Sequence, residues 1–155
     1  MAAQDDLDLE TLDFGSVGPA EFARIVKGMP TGKIAELMSG PQRRRVLDEV
    51  FGRMHTLFKP DAAAGKDALI RWRITGVAGA DDVYETHIGG GTCTVTPRRT
   101  DREPQLRLTM AAPEFLRLVS GNASGPTLFF TRKLKLKGDI RLAGGLTYFF
   151  DIPKP

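Results

Sequence analysis

At residue 67 the spacing of apolar residues in this chain changes: before it they fall on every third or fourth position, and after it five runs place them on every second. That switch constrains the fold more than any other feature. A two-residue period suits a half-buried strand, and a period near 3.6 suits a helix. In ALIRWRIT, Ile70, Trp72 and Ile74 share one face and Arg71 and Arg73 the other. VYETHI sets Tyr84, Thr86 and Ile88 against Glu85 and His87, and TCTVTP sets Cys93 and Val95 against Thr92, Thr94 and Thr96. QLRLTM aligns Leu106, Leu108 and Met110 against Arg107 and Thr109, and KLKLKG places Leu134 and Leu136 opposite Lys133, Lys135 and Lys137. A parallel sheet covered on both faces would show continuous apolar runs, so five one-sided runs exclude it. Turn signals separate the first four: GVAGAD, the triple glycine at 89–91, and RRTDREP. The pattern predicts an α+β, two-layer fold: a mainly antiparallel five-stranded sheet with one solvated face and the helices on the other.

The helices precede and interrupt these strands. PAEFARIVKG and TGKIAELMSG predict two short helical segments, with Phe22, Ile25 and Val26 in the first and Ile34, Leu37 and Met38 in the second at helical spacing. Pro41 suits the first position of a longer helix, PQRRRVLDEVFGRMHTLF. Its Val46, Leu47, Val50, Phe51, Met54, Leu57 and Phe58 form one broad stripe, ended by Lys59-Pro60. Between the fourth and fifth strands Pro113 opens a helix with Phe115, Leu116 and Val119 on its apolar side, and Gly121 suits its C-terminal cap. A further turn near Pro126 carries Leu128, Phe129 and Phe130, and Asp139 stands where an acid favours a helix N-terminus.

At 155 residues the chain is long enough for one domain with a sizeable core. No apolar stretch approaches the ~20 residues that span a bilayer. The opening MAAQDDLDLETLD reads as neither signal nor transit peptide, and the closing DIPKP carries no peroxisomal tripeptide. The one cysteine, Cys93, excludes an internal disulfide and any CxxC motif. A soluble, cytoplasmic domain is expected. Residues 1–13 hold five acids and no base, and without them 22 bases face 14 acids. Residues 1–18 therefore read as an acidic, disordered tail, with an arm folded over a basic surface as the alternative. Residues 19–155 read as the single domain.

The final segment, IRLAGGLTYFF, carries only Arg141 as a charge. As a helix it places Ile140, Ala143 and Phe150 on one side and Leu142, Leu146 and Phe149 on another, more than the arc needed to face a core. Burying its five large side chains contributes on the order of 8 to 15 kcal/mol gross. Gly144 and Gly145 are costly inside a helix and suit a close approach or a bend. Two readings remain open: the segment completes a filled core, or it roofs an apolar cavity able to hold a lipid chain. Periodicity does not separate them.

The helix APEFLRLVSG, the turn and strand GPTLFFTRKLKLKGDIRLA and the apolar close GGLTYFF follow one another in an order that resembles the sterol carrier protein family, type two. In that family a short helix leads to a phenylalanine-bearing turn, an alternating lysine-apolar strand, and a Gly-Asp step into the last helix. The likeness covers roughly 43–150, is most specific over 113–146, and leaves out 1–40. Thr131-Arg132 stand where the family usually has a glycine. The missing peroxisomal ending suits a bacterial cytosolic relative. The resemblance implies a mixed five-stranded sheet with helices on one side, and a hydrophobic tunnel for fatty acyl chains, sterols or phospholipids under the C-terminal helix. It implies binding and intracellular transfer, no covalent chemistry and no cofactor. Its tunnel-wall positions correspond to Phe115, Leu116, Val119, Leu128, Phe129 and Phe130, and to Leu134, Leu136, Ile140, Leu146 and Phe150. Trp72, Ile74 and Leu108 would form the sheet floor. An accessory role is the alternative, in which the domain presents a lipid-like substrate to a partner enzyme acting in trans.

Other chemistries find less support. His87 alternates onto the polar face and Cys93 onto the apolar one, which argues against a Cys-His pair, and His55 flanks the long helix's stripe. GGGT lacks the Lys-Ser/Thr of a phosphate loop, and no residue cluster has metal-ligand spacing. The chain is therefore not expected to be an enzyme. The polar sheet face gathers Arg71, Arg73, Arg107, Lys133, Lys135 and Lys137 against Glu85, enough to attract phosphates. It lacks the interleaved aromatics of a single-strand-binding sheet, so a nucleic acid partner is disfavoured. Lys133, Lys135 and Lys137 are instead candidates for docking on an anionic membrane surface, at about 1 kcal/mol per basic residue. Arg43, Arg44 and Arg45 read as a solvated helix start.

Overall fold

The computed structural model describes residues 17–76 and 81–152. The acidic arm up to residue 16, most of the GVAGAD turn and the last three residues of DIPKP lie outside the described residues. Helices α1 (Pro19–Gly28), α2 (Thr31–Leu37), α3 (Arg43–Gly52) and the short α4 (Met54–Leu57) come first. Strands β1 (Ala68–Thr75), β2 (Asp82–Gly89), β3 (Thr92–Thr96) and β4 (Leu106–Ala111) follow. Helices α5 (Ala112–Val119) and α6 (Gly125–Phe130) lead to β5 (Leu134–Gly138), α7 (Ile140–Gly145) and a 3-10 turn over Leu146–Phe149.

The five strands form one sheet in the order β3-β2-β1-β4-β5. All neighbours are antiparallel except β1 and β4, which run parallel with Trp72 beside Leu108. The sheet is thus mostly antiparallel, as the alternation implied, and mixed, as the family resemblance implied. The β2–β3 hairpin lies on one side of β1, and the connection to β4 crosses to the other side and starts it beside the beginning of β1, which makes the pair parallel. Residues 97–105 make that return across the face expected to be solvated. There Arg71 and Glu85, directly opposed in β1 and β2, are buried and joined at 2.7 Å. Thr100 donates its N–H and hydroxyl to Glu85, and the carbonyls of Thr100 and Arg102 accept from Arg71. The basic patch is accordingly smaller than the strand pattern suggested.

On the other face Phe51 stacks between Tyr84, at 4.0 Å, and Phe115, at 4.9 Å, with Trp72 edge-on to Phe51 and Phe115. The helix expected to run unbroken from Pro41 to Phe58 divides at Arg53, after Gly52, whose missing side chain weakens a helix interior. Arg43, expected in solvent, is largely buried: its guanidinium bonds the Ile74 carbonyl at 2.7 Å and pairs with Asp82 at 2.9 Å, fastening α3 to the sheet. Val17 lies in the stretch expected as a tail and is buried.

The KGD step has a steric cause. Gly138 adopts φ +113°, and a Cβ there would collide with the Gln105 carbonyl, which accepts the Asp139 N–H at 2.8 Å. The Asp139 carboxylate then accepts the Leu142 N–H at 3.1 Å and caps α7.

Candidate functional site

A cavity of about 420 Å³ lies between α1, the α3–α4 junction, the end of α5 and the terminal 3-10 turn. That size falls among small-molecule sites. Val50, Met54 and Leu57 contribute one wall, at positions i, i+4 and i+7 of the stripe that crosses the helix break. Leu118 and Val119 of α5 face Leu146, Phe150 and Ile152 of the C-terminal segment. Trp72 closes the sheet side. Arg53, Thr56 and Thr147 are the polar members of the lining.

Trp72 is placed there by an internal hydrogen bond. Its indole N–H donates to Thr86 Oγ1 at 3.0 Å, and Thr86 in turn donates to Met54 Sδ at 3.4 Å. The polar edge is satisfied inside the protein, so the ring can line an apolar space without an orphaned donor. The N-terminal extension is fastened from two sides. Asn122 donates to the Ala23 carbonyl at 3.0 Å, and Arg53 Nη1 donates to the Val17 carbonyl at 2.9 Å. These bonds bring Val17, Pro19 and Phe22 into the cavity wall.

Of the residues expected to meet a ligand, Trp72, Val119, Leu146 and Phe150 line this cavity. Ile74, Leu108, Phe115, Leu116, Leu128 and Leu134 are buried in the hydrophobic core outside this lining, and Leu136 is half-buried. Phe129, Phe130 and Ile140 are exposed. In α6 Leu128 takes the inward position, which leaves the two phenylalanines outside; in α7 the inward residue is Leu142. Lys133, Lys135 and Lys137 are exposed, with Lys133 Nζ 3.9 Å from Glu114. The expectation did not include the extension's residues, nor Val50, Met54, Leu57 and Leu118. The stripe of the long helix was the available signal for three of them, but a stripe facing a void looks the same as one facing core.

Burial pushes the Cys93 thiol up to about 11, so it stays protonated near neutrality. His87 Nε2 lies 2.8 Å from Asp67 Oδ1 at the surface. Among the described residues no group of His, Cys, Asp or Glu could hold a metal ion, and no helix is long and apolar enough to cross a membrane.

The sequence profile of the SCP-2 sterol transfer family matches residues 52–151, well over half of the chain. The chain belongs to that family. Membership gives this SCP-2 domain lipid binding and transfer as its broad role. No curated protein matches it significantly. Among solved structures, sterol carrier protein 2 like 2 of Aedes aegypti superposes with a TM-score of 0.54 at 14% identity, over 70% of this chain and 98% of that one. The palmitate complex of sterol carrier protein 2 of Aedes aegypti gives 0.53 at 16% identity, over 69% and 96%. The stereoselective inverting sec-alkylsulfatase of a Pseudomonas species gives 0.57 at 17% identity, over 70% of this chain but only 16% of that enzyme. At these identities the likeness is one of fold. The SCP-2 match begins at residue 52, so α1 and most of α3 contribute walls from outside the matched region.

Proposed function

We propose that this SCP-2 domain carries a lipid, best a fatty acyl chain, in the cavity beneath its C-terminal segment, and transfers it between membranes within the cytoplasm without covalent chemistry. The carrying observation is the 420 Å³ cavity, lined by Trp72, Val119, Leu146 and Phe150 against the stripe of α3 and α4. Hydrocarbon would lie against those side chains, and Arg53, Thr56 and Thr147 offer hydrogen-bonding groups for a polar end. The palmitate held by the Aedes aegypti relative supports an acyl chain over a sterol. Native mass spectrometry of the purified protein, with extraction of any bound lipid, tests the reading directly. Leu146→Arg, which puts a charge into the lining, should abolish uptake of a fluorescent fatty acid. Unchanged uptake in a folded Leu146→Arg protein would refute the cavity as the site.

The sulfatase likeness favours one second reading, in which the domain presents a lipid-like substrate to an enzyme in trans, because there the fold is a minor part of a larger enzyme. Vesicle-to-vesicle transfer by the isolated chain distinguishes the two, since an accessory module needs its enzyme and a carrier does not.

A further inference from the structure

The tip of α6 displays side chains that folding ordinarily hides. Phe130 is 81% exposed and Phe129 45%, with their rings edge to face at 5.8 Å. The tip is a built turn: Ser124 accepts the Thr127 N–H at 3.2 Å, Leu128 is buried beneath, and the Leu128 carbonyl accepts the Lys133 N–H at 2.8 Å. Cations follow at once. Arg132 and Lys133 are exposed beside the rings, and the edge strand β5 presents Lys135 and Lys137. At the far end of that strand, about 17 Å on, Ile140 is 71% exposed next to the exposed Arg141. Two acids lie near. Glu114 stands 3.9 Å from Lys133, and Asp139 is engaged in capping α7. None of these residues lines the cavity.

Adjacent exposed aromatics bordered by basic side chains suit one kind of partner. An anionic bilayer offers phosphates to the cations and, a few ångströms deeper, methylenes to the rings. An acidic protein surface would answer the charges and leave the rings in water. We propose that the α6 tip is a membrane-insertion wedge: Phe129 and Phe130 enter the headgroup region of an anionic membrane while Arg132, Lys133, Lys135 and Lys137 bind its phosphates. The proposal deepens the transfer reading by naming the surface through which a carrier meets its donor. It does not depend on what fills the cavity.

Flotation with vesicles of equal parts phosphatidylglycerol and phosphatidylcholine, against phosphatidylcholine alone, tests it with the full chain. The wild type should bind the anionic vesicles only. Phe129→Ser with Phe130→Ser should weaken that binding about ten-fold or more, and Lys135→Ser or Lys137→Ser about five-fold each. Uptake of a fluorescent fatty acid from solution should be unchanged in all of them. In Phe130→Trp the added indole should shift its emission to the blue with anionic vesicles. Equal vesicle binding by the double serine variant, or no binding by the wild type, overturns the proposal. So does a wild-type dimer that the double serine variant dissociates, which would assign the patch to a second copy of the chain. Failure of the cavity reading reads out separately, as absent uptake with vesicle binding intact, a result that sustains the wedge.

Discussion

Phe58 and Phe150 face each other in an isolated antiparallel bridge, their rings 5.8 Å apart. Two main-chain bonds flank it: the Lys59 N–H donates to the Phe149 carbonyl and the Asp151 N–H to the Leu57 carbonyl, both at 2.7 Å. The apolar end of the chain is therefore held by backbone to the exit of α4, and Phe150 and Leu57 on either side of the bridge both line the cavity.

Phe150→Ala should cost about 3 to 5 kcal/mol of stability, the range for truncating a buried aromatic, and reduce fatty acid uptake. Urea unfolding measures the first effect and fluorescent ligand titration the second. Phe58→Ala, at a half-buried position, should cost less.

Thr86→Val keeps the shape of a buried side chain but leaves the Trp72 indole N–H without its acceptor. The expected loss is about 1 to 3 kcal/mol, with a change in the emission of the chain's single tryptophan. Thr86→Ser retains the hydroxyl and should restore the emission, which separates the lost hydrogen bond from lost packing.

Burial alone would raise the Glu85 carboxyl, but the bonds from Thr100 and the Arg71 guanidinium outweigh it and hold the group below its ordinary 4.5. A carboxyl with a depressed folded pKa stabilises the fold above its unfolded pKa and loses that contribution as pH falls through the folded value. Urea midpoints should thus fall on acidification below about 4.5. Glu85→Gln should flatten that dependence, and at neutral pH it should cost about 3 to 5 kcal/mol by leaving Arg71 without its buried partner.

Arg132 adopts φ +63°, in the left-handed region that costs an L-residue about 1 to 2 kcal/mol. Arg132→Gly relieves this and gives back part of it in unfolded-chain entropy. A net gain of about 1 kcal/mol, or roughly 2 to 4 °C in Tm for a chain of this size, should appear in thermal melts. An unchanged or lower Tm would mean that the arginine side chain holds this turn.

The alternation of ALIRWRIT, VYETHI and QLRLTM made the sheet and its inward face legible, because in a strand the side of each residue follows from its parity alone. Asp139 was legible as an acid at a helix N-terminus, and the structure adds that it caps the helix through the Leu142 N–H. Phe129 and Phe130 show where such reasoning stops. They are as apolar as Leu128, but a six-residue helix has one inward position, and docking of the whole helix on β5 assigned it to Leu128. Arg71 was misplaced in the opposite sense, because a loop nearly thirty residues downstream folded over it.

Sequence by itself determined the two-layer α+β plan, the inward set of Ile70, Trp72 and Ile74, and the acid Asp139 at the start of the last helix, all read from patterns within single segments. The tertiary structure alone decided that a cavity lies beside Trp72, that the N-terminal extension walls it, and that two phenylalanines stand outside. A void is the mismatch between surfaces brought from α1, α3, α5 and the C-terminus, and such a mismatch has no representation in the periodicity of any one of them.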